Sequence, residues 1–316
     1  MDEISPPPRV CLAISSYRHD EEIAQLLGQA ARLAPDLFFR VLVVDSLGTG
    51  KIPELARERG WPWLEYRNSA TNLGSAGNLA KRLEVAAELG ADWAYALNHD
   101  GEIHEETIRA LIRAATKEAT LGAAYPLRRL QNRDDCFDLT GRARFSMSGI
   151  TTKIRPTAEE VEVYWASSNG ALYSMNPVRQ GLRPWADLWM GFEDLAYGWL
   201  LAVNGFRQVI VTDAEFCDNY EFRRVSFLGL SLTVSDKPSW YSYYYGRNLL
   251  TIIRRIRVNP PTAWAIYFRI VIEFCLTVLF RDQKGRRLRY LATGTLDGLK
   301  GRLGMQPPPR PTPRKT

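Results

Sequence analysis

The first hundred residues alternate between short apolar runs and longer amphipathic segments. Runs typical of buried strands occupy residues 10–15, 41–45, 63–66 and 93–97. Segments with helical spacing lie between them, at residues 21–33, 52–59 and 75–89. Strands that alternate with helices predict parallel βαβ units. We therefore expect an α/β layer with right-handed crossovers.

After residue 100 the pattern becomes less regular. Helical spacing recurs at residues 105–118, 192–203, 241–255, 262–280 and 289–301. Short strand-like runs occupy residues 122–126, 161–165, 170–175 and 207–212. The fold class predicted is α/β, with a Rossmann-like, mostly parallel central sheet flanked by helices and a helical C-terminal extension.

These patterns also predict how the chain is organised. One domain is expected over residues 9–220 and a helical region over residues 221–305. Residues 1–8 and 306–316 are rich in proline and are predicted to be disordered. At 316 residues, the chain is long enough to bury one substantial core.

Composition narrows the function classes. The net charge of +6 is too mild to indicate nucleic-acid binding. The four cysteines form no C-x-x-C pair, so neither a disulfide framework nor a zinc knuckle is expected. Residues 1–8 lack the apolar run of a secretory signal. We expect a protein of the reducing cytoplasm.

Polar residues follow each of the first four strand-like runs. They are Ser15, Ser16 and Tyr17; Asp45 and Ser46; residues 68–78; and Asn98, His99 and Asp100. In an open α/β sheet, ligands bind beyond the carboxyl ends of the strands. Asp45 could accept a hydrogen bond from a nucleobase N–H or a ribose hydroxyl. The alternative at each place is an ordinary turn or helix cap.

Two of these clusters suit a phosphorylated ligand. Asn72, Gly74 and Asn78 belong to a stretch of small residues that opens a helix, where free N–H groups suit a diphosphate. Asp100 offers a hard oxygen ligand for Mg²⁺ or Mn²⁺, and His99 adds a ligand that suits Mn²⁺. A plain turn at residues 100–101 is the alternative.

Glu193 and Asp194 are candidates for acid–base chemistry. They lie inside a helical pattern, directly after an aromatic loop. Adjacent residues on a helix point about 100° apart, so one of the two can face a given substrate. Partial desolvation would raise a carboxyl pKa towards neutrality, as a general base requires. The alternative is a pair of carboxylates placed favourably at a helix start.

The aromatic and basic C-terminal part leaves two interpretations open. Trp240, Tyr244 and Arg247, with Trp189 upstream, could bind a sugar-containing acceptor or form a packing face. Arg269 and Glu273 interrupt the longest apolar stretch. A spanning helix needs about 20 mostly uncharged residues, so we do not expect this stretch to cross a bilayer. Several cations follow the stretch. It could lie on a membrane surface or pack against the domain or a second subunit.

Taken in order, the motifs resemble family 2 glycosyltransferases of GT-A fold, especially the rhamnosyltransferase-like branch. The motifs are A-I-S-S-Y-R from Ala13, V-V-D-S from Val43, N-L-G-S-A-G-N from Asn72, N-H-D at the D-x-D position, G-A-L-Y from Gly170, G-F-E-D from Gly191, N-G-F-R from Asn204 and Y-Y-G-R-N from Tyr244. The resemblance runs from about residue 9 to residue 304, and it rests on the order and spacing of the motifs together.

The resemblance implies an inverting transfer from a nucleotide diphosphate sugar to an acceptor hydroxyl of a glycan, lipid-linked saccharide or natural product. The donor half would be residues 9–126 and the acceptor half residues 127–220. Ser15, Ser16, Tyr17 and Asp45 would hold the nucleoside, while Asn98 and Asp100 would serve the ribose and a metal-bridged diphosphate. Asp194 would be the base, with Glu193 as second choice. A homodimer and a peripheral membrane contact are compatible with it.

Two departures from the family pattern bear on the metal. Asn98 replaces the first carboxylate of D-x-D, and Asp218 stands where the family commonly has a metal-binding histidine. Asp218 could restore the charge lost at Asn98, or the site could be inactive. A non-catalytic module that binds a nucleotide sugar or glycan is therefore the second hypothesis. A nucleotidyltransferase is the third, and it is disfavoured because Arg18 is the only cation in residues 15–20.

Overall fold

The computed structural model describes residues 6–130, 159–218, 222–227, 230–235, 237–256 and 260–306. The strands are β1 (Val10–Ser16), β2 (Arg40–Ser46), β3 (Leu64–Ser69), β4 (Trp93–Asn98), β5 (Leu121–Leu130), β6 (Glu160–Glu162), β7 (Ala171–Ser174), β8 (Arg207–Asp218), β9 (Phe222–Phe227) and β10 (Leu230–Ser235). The helices are α1 (Asp20–Leu37), α2 (Lys51–Arg59), α3 (Gly74–Glu88), α4 (Glu105–Ala115), α5 (Met175–Arg179), α6 (Glu193–Val203), α7 (Tyr241–Ile256), α8 (Pro260–Phe280) and α9 (Lys284–Lys300), with a 3-10 turn at Ala186–Leu188.

Strands β1 to β8 form one sheet in the order β3-β2-β1-β4-β7-β5-β8-β6. The pairs among β1 to β4 are parallel, as is β5 with β8, whereas β7 and β6 run antiparallel to their neighbours. The chain moves outwards from β1 to β3 and then returns to place β4 on the other side of β1. The order of the strands therefore reverses between β1 and β4, as the predicted mostly parallel sheet requires.

Helices cover both faces of the sheet, which is why its parallel strands are continuous apolar runs. On β1, Leu12 and Ile14 face a core shared with α1 and α4. Cys11 and Ala13 face the opposite core, shared with α3 and α6. A third cluster joins α6 to the C-terminal helices α7 and α8. The position of every strand end is thus fixed from both sides.

The predicted C-terminal helical extension is confirmed, and its helices begin at Tyr241. An antiparallel hairpin of β9 and β10, which was not predicted, precedes them. The sequence L-S-L-T-V-S of β10 alternates apolar and polar residues with the period of a strand, a signal that the prediction missed. Strand β8 is also longer than predicted and continues to Asp218.

Smaller differences lie at element ends. Helix α9 begins at Lys284 rather than near residue 289, and α4 ends at Ala115. Residues 1–5 and 307–316, which belong to the predicted disordered termini, lie outside the described residues. Helix α8 contains a segment, Thr262–Phe280, long and apolar enough to cross a membrane by length and composition. The expectation that Arg269 and Glu273 disqualify it was wrong on that criterion, because the other residues compensate.

Candidate active site

The polar edge predicted from the strand ends is present at the switch between β1 and β4. Ser15 lies opposite Asn98 in the parallel register, and its hydroxyl donates to Asn98 Oδ1 over 3.1 Å. The backbone N–H of Asn98 donates to Oδ1 of buried Asn169 over 2.9 Å. On the other side of β1, Ser16 lies opposite Asp45. Asn68, the first residue of the remaining cluster, lies opposite Asp45 on β3, so all four predicted clusters meet along neighbouring strands.

Asp45 is a buried carboxylate with one oxygen engaged. The Tyr66 hydroxyl donates to its Oδ2 over 2.9 Å, while Oδ1 is buried without a hydrogen-bond partner. Burial raises the pKa of Asp45, and the hydrogen bond from Tyr66 acts in the opposite direction. Tyr17 follows the end of β1 and is 40% exposed, with the Arg18 guanidinium 5.3 Å from its ring centre. This edge thus combines an interior acceptor with an exposed aromatic ring.

The start of α3 is tied to the rest of the chain rather than open. The N–H of Gly74 donates to Asn72 Oδ1 over 2.9 Å, and the N–H of Ala76 donates to the carbonyl of Trp189 over 3.1 Å. The side-chain amide of buried Asn78 donates to the carbonyl of Val44 over 2.9 Å. Local and loop oxygens already accept from the N–H groups of Gly74 and Ala76, and contact of Asn72, Gly74 and Asn78 with a diphosphate stays a prediction.

The loop between the 3-10 turn and α6 is strained at Trp189. This residue has φ 57° and ψ −57°, and the N–H of Met190 donates to the carbonyl of Leu188 over 2.7 Å. The two features define a γ-turn of the rare, strained kind. The indole N–H of Trp189 donates to the carbonyl of Asn72 over 3.1 Å, and Gly191 N–H donates to the Ser75 hydroxyl over 3.2 Å. Surrounding contacts hold the strained loop against α3.

Asn248 and Arg247 support the same loop from α7. The Asn248 amide donates to the carbonyls of Leu188, Met190 and Gly191, at 3.1, 2.9 and 2.9 Å. Arg247 is fully buried, and its Nε donates to Asn248 Oδ1 over 2.8 Å. The guanidinium also donates to the carbonyl of Leu188. Sequence reasoning placed Arg247 against an acceptor, whereas in this structure its donors are used on the chain itself.

The predicted acceptor aromatics are gathered in one cluster. The ring of Trp189 lies 4.9 Å from that of Tyr244 and 6.1 Å from that of Trp240. Trp189 and Tyr244 are buried, and Trp240 is partly exposed. The hydroxyl of Tyr244 donates to the carbonyl of Gln306 over 3.1 Å. Contact of Trp189, Trp240, Tyr244 and Arg247 with an acceptor stays a prediction.

The two carboxylates stand at the first turn of α6. The helix begins after Phe192, which has a left-handed φ of 63°. The Asp194 Oδ1 atom accepts from the N–H of Leu195 over 2.7 Å. Burial, followed by the neighbouring charge of Glu193, raises the pKa of Asp194 to about 7. Burial also raises the pKa of Glu193, whose Oε2 is buried without a hydrogen-bond partner.

Two buried arginines near these carboxylates were missed by sequence reasoning. Arg82 donates to the carbonyls of Ala13 and Leu97, both at 3.0 Å, directly below the switch between β1 and β4. Its charge opposes the rise that burial causes in the pKa of Glu193, and the charge of buried Arg128 likewise opposes the rise in the pKa of Asp194. Arg82 falls on the apolar face of α3, between residues 79 and 86. A charged residue at an apolar position of a helix was the sequence signal that could have revealed it.

The structure describes the side chains of two of the three predicted metal ligands, His99 and Asp100. Among the described residues, no group of three or more His, Cys, Asp or Glu is placed to hold a metal ion. Asp100 is exposed, while the His99 ring stacks on that of His19, with centroids 3.7 Å apart. The side chain of Asp218 lies outside the described residues. Asp100 suits an ion that is bound by few protein ligands and whose remaining ligands are a diphosphate and water.

No family model and no curated protein matches the sequence. Solved structures match its fold. Residues 1–349 of TarS from S. aureus match with a TM-score of 0.58 at 13% identity, covering 93% of this chain and 82% of that chain. The mannosyltransferase PcManGT from Pyrobaculum calidifontis, in complex with GDP-Man and Mn²⁺, matches with a TM-score of 0.55 at 14% identity, covering 93% and 88%. The chain has the GT-A fold. GalNAc-T7, solved with UDP, GalNAc and Mn²⁺, matches with a TM-score of 0.58 at 10% identity, covering 94% and 56%.

Within the GT-A fold of this chain, the strand-end cluster and the carboxylates are joined through α3. Ser75 and Ala76 contact the loop that leads into α6, and Arg82 of the same helix reaches the carbonyls of β1 and β4. One rigid element therefore contacts both groups of predicted site residues. A movement of α3 would change their separation.

Proposed function

We propose that this protein is a glycosyltransferase that moves a sugar from a nucleotide diphosphate to an acceptor hydroxyl with inversion at the anomeric carbon. The observation that carries the proposal is Asp194, a desolvated carboxyl with its pKa raised to about 7, in a GT-A fold and tied through its loop to α3. The family 2 assignment and its rhamnosyltransferase-like branch rest on the order of the sequence motifs.

The donor would bind at the switch between β1 and β4. Ser15, Ser16, Tyr17 and Asp45 are proposed to hold the nucleoside, with the unpartnered Oδ1 of Asp45 as an acceptor for an N–H or a hydroxyl. Asn98 and Asp100 would lie beside the ribose and the diphosphate. When bound at Asp100, Mg²⁺ or Mn²⁺ would offset the negative charge on the departing diphosphate. Asn72, Gly74 and Asn78 would act by fixing α3.

The transfer itself is a displacement at the anomeric carbon. The acceptor oxygen forms a bond to that carbon, the bond to the diphosphate oxygen breaks, and the acceptor proton passes to a carboxylate oxygen of Asp194. A carboxylate whose pKa is raised to about 7 is basic enough to take this proton. Glu193 keeps Asp194 basic through its negative charge, and it is the second candidate for the base.

The donor and acceptor classes follow from the resemblance and from the fold's neighbours. A UDP-, dTDP- or GDP-sugar is proposed as the donor; TarS has been solved with UDP-GlcNAc and PcManGT with GDP-Man. A glycan, a lipid-linked saccharide or a small natural product is proposed as the acceptor. A cytoplasmic location is proposed for the enzyme, with the inner face of the membrane as the alternative to free solution. A non-catalytic nucleotide-sugar or glycan binding module remains the alternative.

Donor hydrolysis, in which water replaces the acceptor, distinguishes the two functions. Wild-type protein is incubated with each donor and Mn²⁺, and release of the nucleoside diphosphate is measured. We expect slow release that falls about 100-fold or more in Asp194→Asn, because general bases contribute about 10²–10⁴ in rate. Asp213→Asn, on β8 with a side chain that is 64% exposed, is the control. Donor binding without release would favour the binding module, and equal release by Asp194→Asn would remove the base assignment.

A further inference from the structure

The polarity of α8 is reversed relative to an ordinary surface helix. Its exposed side chains are Trp264, Tyr267, Phe268, Val271, Ile272, Cys275, Val278 and Leu279. Its polar side chains Thr262, Glu273 and Thr277 are instead buried. Trp264 and Phe268 are 73% and 66% exposed. An exposed apolar surface of this kind, here called the α8 face, marks a site of contact with another apolar phase.

The opposite side of α8 is fixed to the protein. Ile266 and Ile270 are buried in the cluster that also contains residues of α6 and α7. Glu273 pairs with Arg281 over 2.9 Å, and both side chains are almost fully buried. A helix that crossed a bilayer would have to leave these contacts and carry the charges of Arg269 and Glu273 into hydrocarbon, which is unfavourable. The α8 face can therefore contact an apolar phase while the opposite side of the helix stays packed against the protein.

Cations follow the α8 face at the start of α9. Lys284, Arg286 and Arg289 are exposed. Residues 260–306 contain eight Lys and Arg but three acids, of which Glu273 and Asp297 are buried. The third, Asp282, is paired with Arg287 over 2.7 Å. Asp282 is 65% exposed but is engaged by Arg287, so the surface around the end of α8 keeps a net positive charge within these residues.

We propose that α8 lies in the plane of an anionic lipid bilayer. The α8 face enters the boundary between headgroups and acyl chains, and Lys284, Arg286 and Arg289 lie on the anionic headgroups. A second copy of this chain is a poorer occupant, because residues 260–306 of that copy carry the same excess of cations and would not neutralise the basic group at the end of α8. The proposal concerns lipid binding alone and holds whether or not the protein transfers sugars.

Vesicle co-sedimentation of the full chain tests the proposal. The probes are phosphatidylcholine vesicles with and without phosphatidylglycerol. We expect binding to the anionic vesicles, weakened by salt and by about 100-fold in the triple Gln variant of Lys284, Arg286 and Arg289, since each cation near such a surface contributes about five-fold. Phe268→Ser with Val278→Ser should abolish binding, and both residues are at least 50% exposed, so folding is retained. Val203→Ser, at an apolar residue of α6 that is 52% exposed, is the matched control and should bind as wild type.

Three results would overturn the proposal. The first is an absence of vesicle binding together with a dimer, seen by analytical ultracentrifugation, that the Phe268→Ser and Val278→Ser pair dissociates; the α8 face would then join two copies. The second is retention on vesicles after alkaline carbonate washing, which indicates a spanning helix. The third is binding that the paired serine variant leaves unchanged, which places the lipid contact elsewhere.

Discussion

Replacing Asp194 with Asn should make the protein's stability less dependent on pH. Burial and the charge of Glu193 raise the pKa of Asp194 from 3.8 to about 7 in the folded state. Ionised Asp194 therefore opposes folding. The cost is absent below the unfolded pKa of 3.8, grows as the pH rises towards 7, and is constant above it. It amounts to about 4 kcal/mol at pH 8 and about 2 kcal/mol at pH 5.

The asparagine variant keeps the side-chain shape and an oxygen for the N–H of Leu195, but it has no charge to desolvate. Its gain in the free energy of unfolding over wild type should be larger at pH 8 than at pH 5, by about 2–3 kcal/mol. Urea denaturation at both pH values measures it. Asp213→Asn, whose side chain is 64% exposed, is the control and should change stability little at either pH. A gain for Asp194→Asn that is equal at the two pH values would refute the reasoning.

Two further predictions concern the contacts that hold the loop before α6. Gly74→Ala should destabilise the protein by several kcal/mol in urea denaturation, since Gly74 has φ +66° and an added Cβ would overlap the carbonyl of Trp189. The control is Gly28→Ala, in open space on α1, which should be neutral or stabilise by about 0.5–1 kcal/mol. Equal effects of the two substitutions would contradict this account. Asn248→Ala should lower the free energy of unfolding by about 2–4 kcal/mol, because three loop carbonyls lose a donor. The exposed control Asn204→Ala should lower it by under about 1 kcal/mol. A loss in Asn248→Ala no larger than in the control would show that the loop does not depend on Asn248.

The sheet and its polar edge could be predicted because they depend on local patterns. Strands buried on both faces are continuous apolar runs, and the residue after each run falls at the sheet edge, as with Ser15, Asp45 and Asn98. The aromatic loop before α6 and the carboxylate pair were likewise visible as motifs. The confirmed α/β fold class followed from this alternation alone.

Long-range contacts could not be predicted from these patterns. Arg247 is separated by 59 residues from the loop carbonyl that it binds, and nothing near it in the sequence indicates that its donors are used. The sequence at the start of α3 does not indicate that its N–H groups are used. The carbonyl that accepts from the Ala76 N–H belongs to Trp189, far along the chain. In contrast, the hairpin of β9 and β10 was a local signal, which was overlooked among aromatic and basic residues.

The central claim, that this chain binds a nucleotide diphosphate donor, is tested most directly by isothermal titration with UDP, dTDP and GDP. Each nucleotide is titrated with and without Mn²⁺ into wild-type protein and into Asp100→Ala. The account predicts that one nucleotide binds, that Mn²⁺ strengthens the binding, and that Asp100→Ala removes this strengthening. Lys81→Ala, on the surface of α3, serves as the control and should bind as wild type. If none of the three nucleotides binds under either condition, the chain is a GT-A scaffold for another ligand, and the glycosyltransferase proposal is wrong.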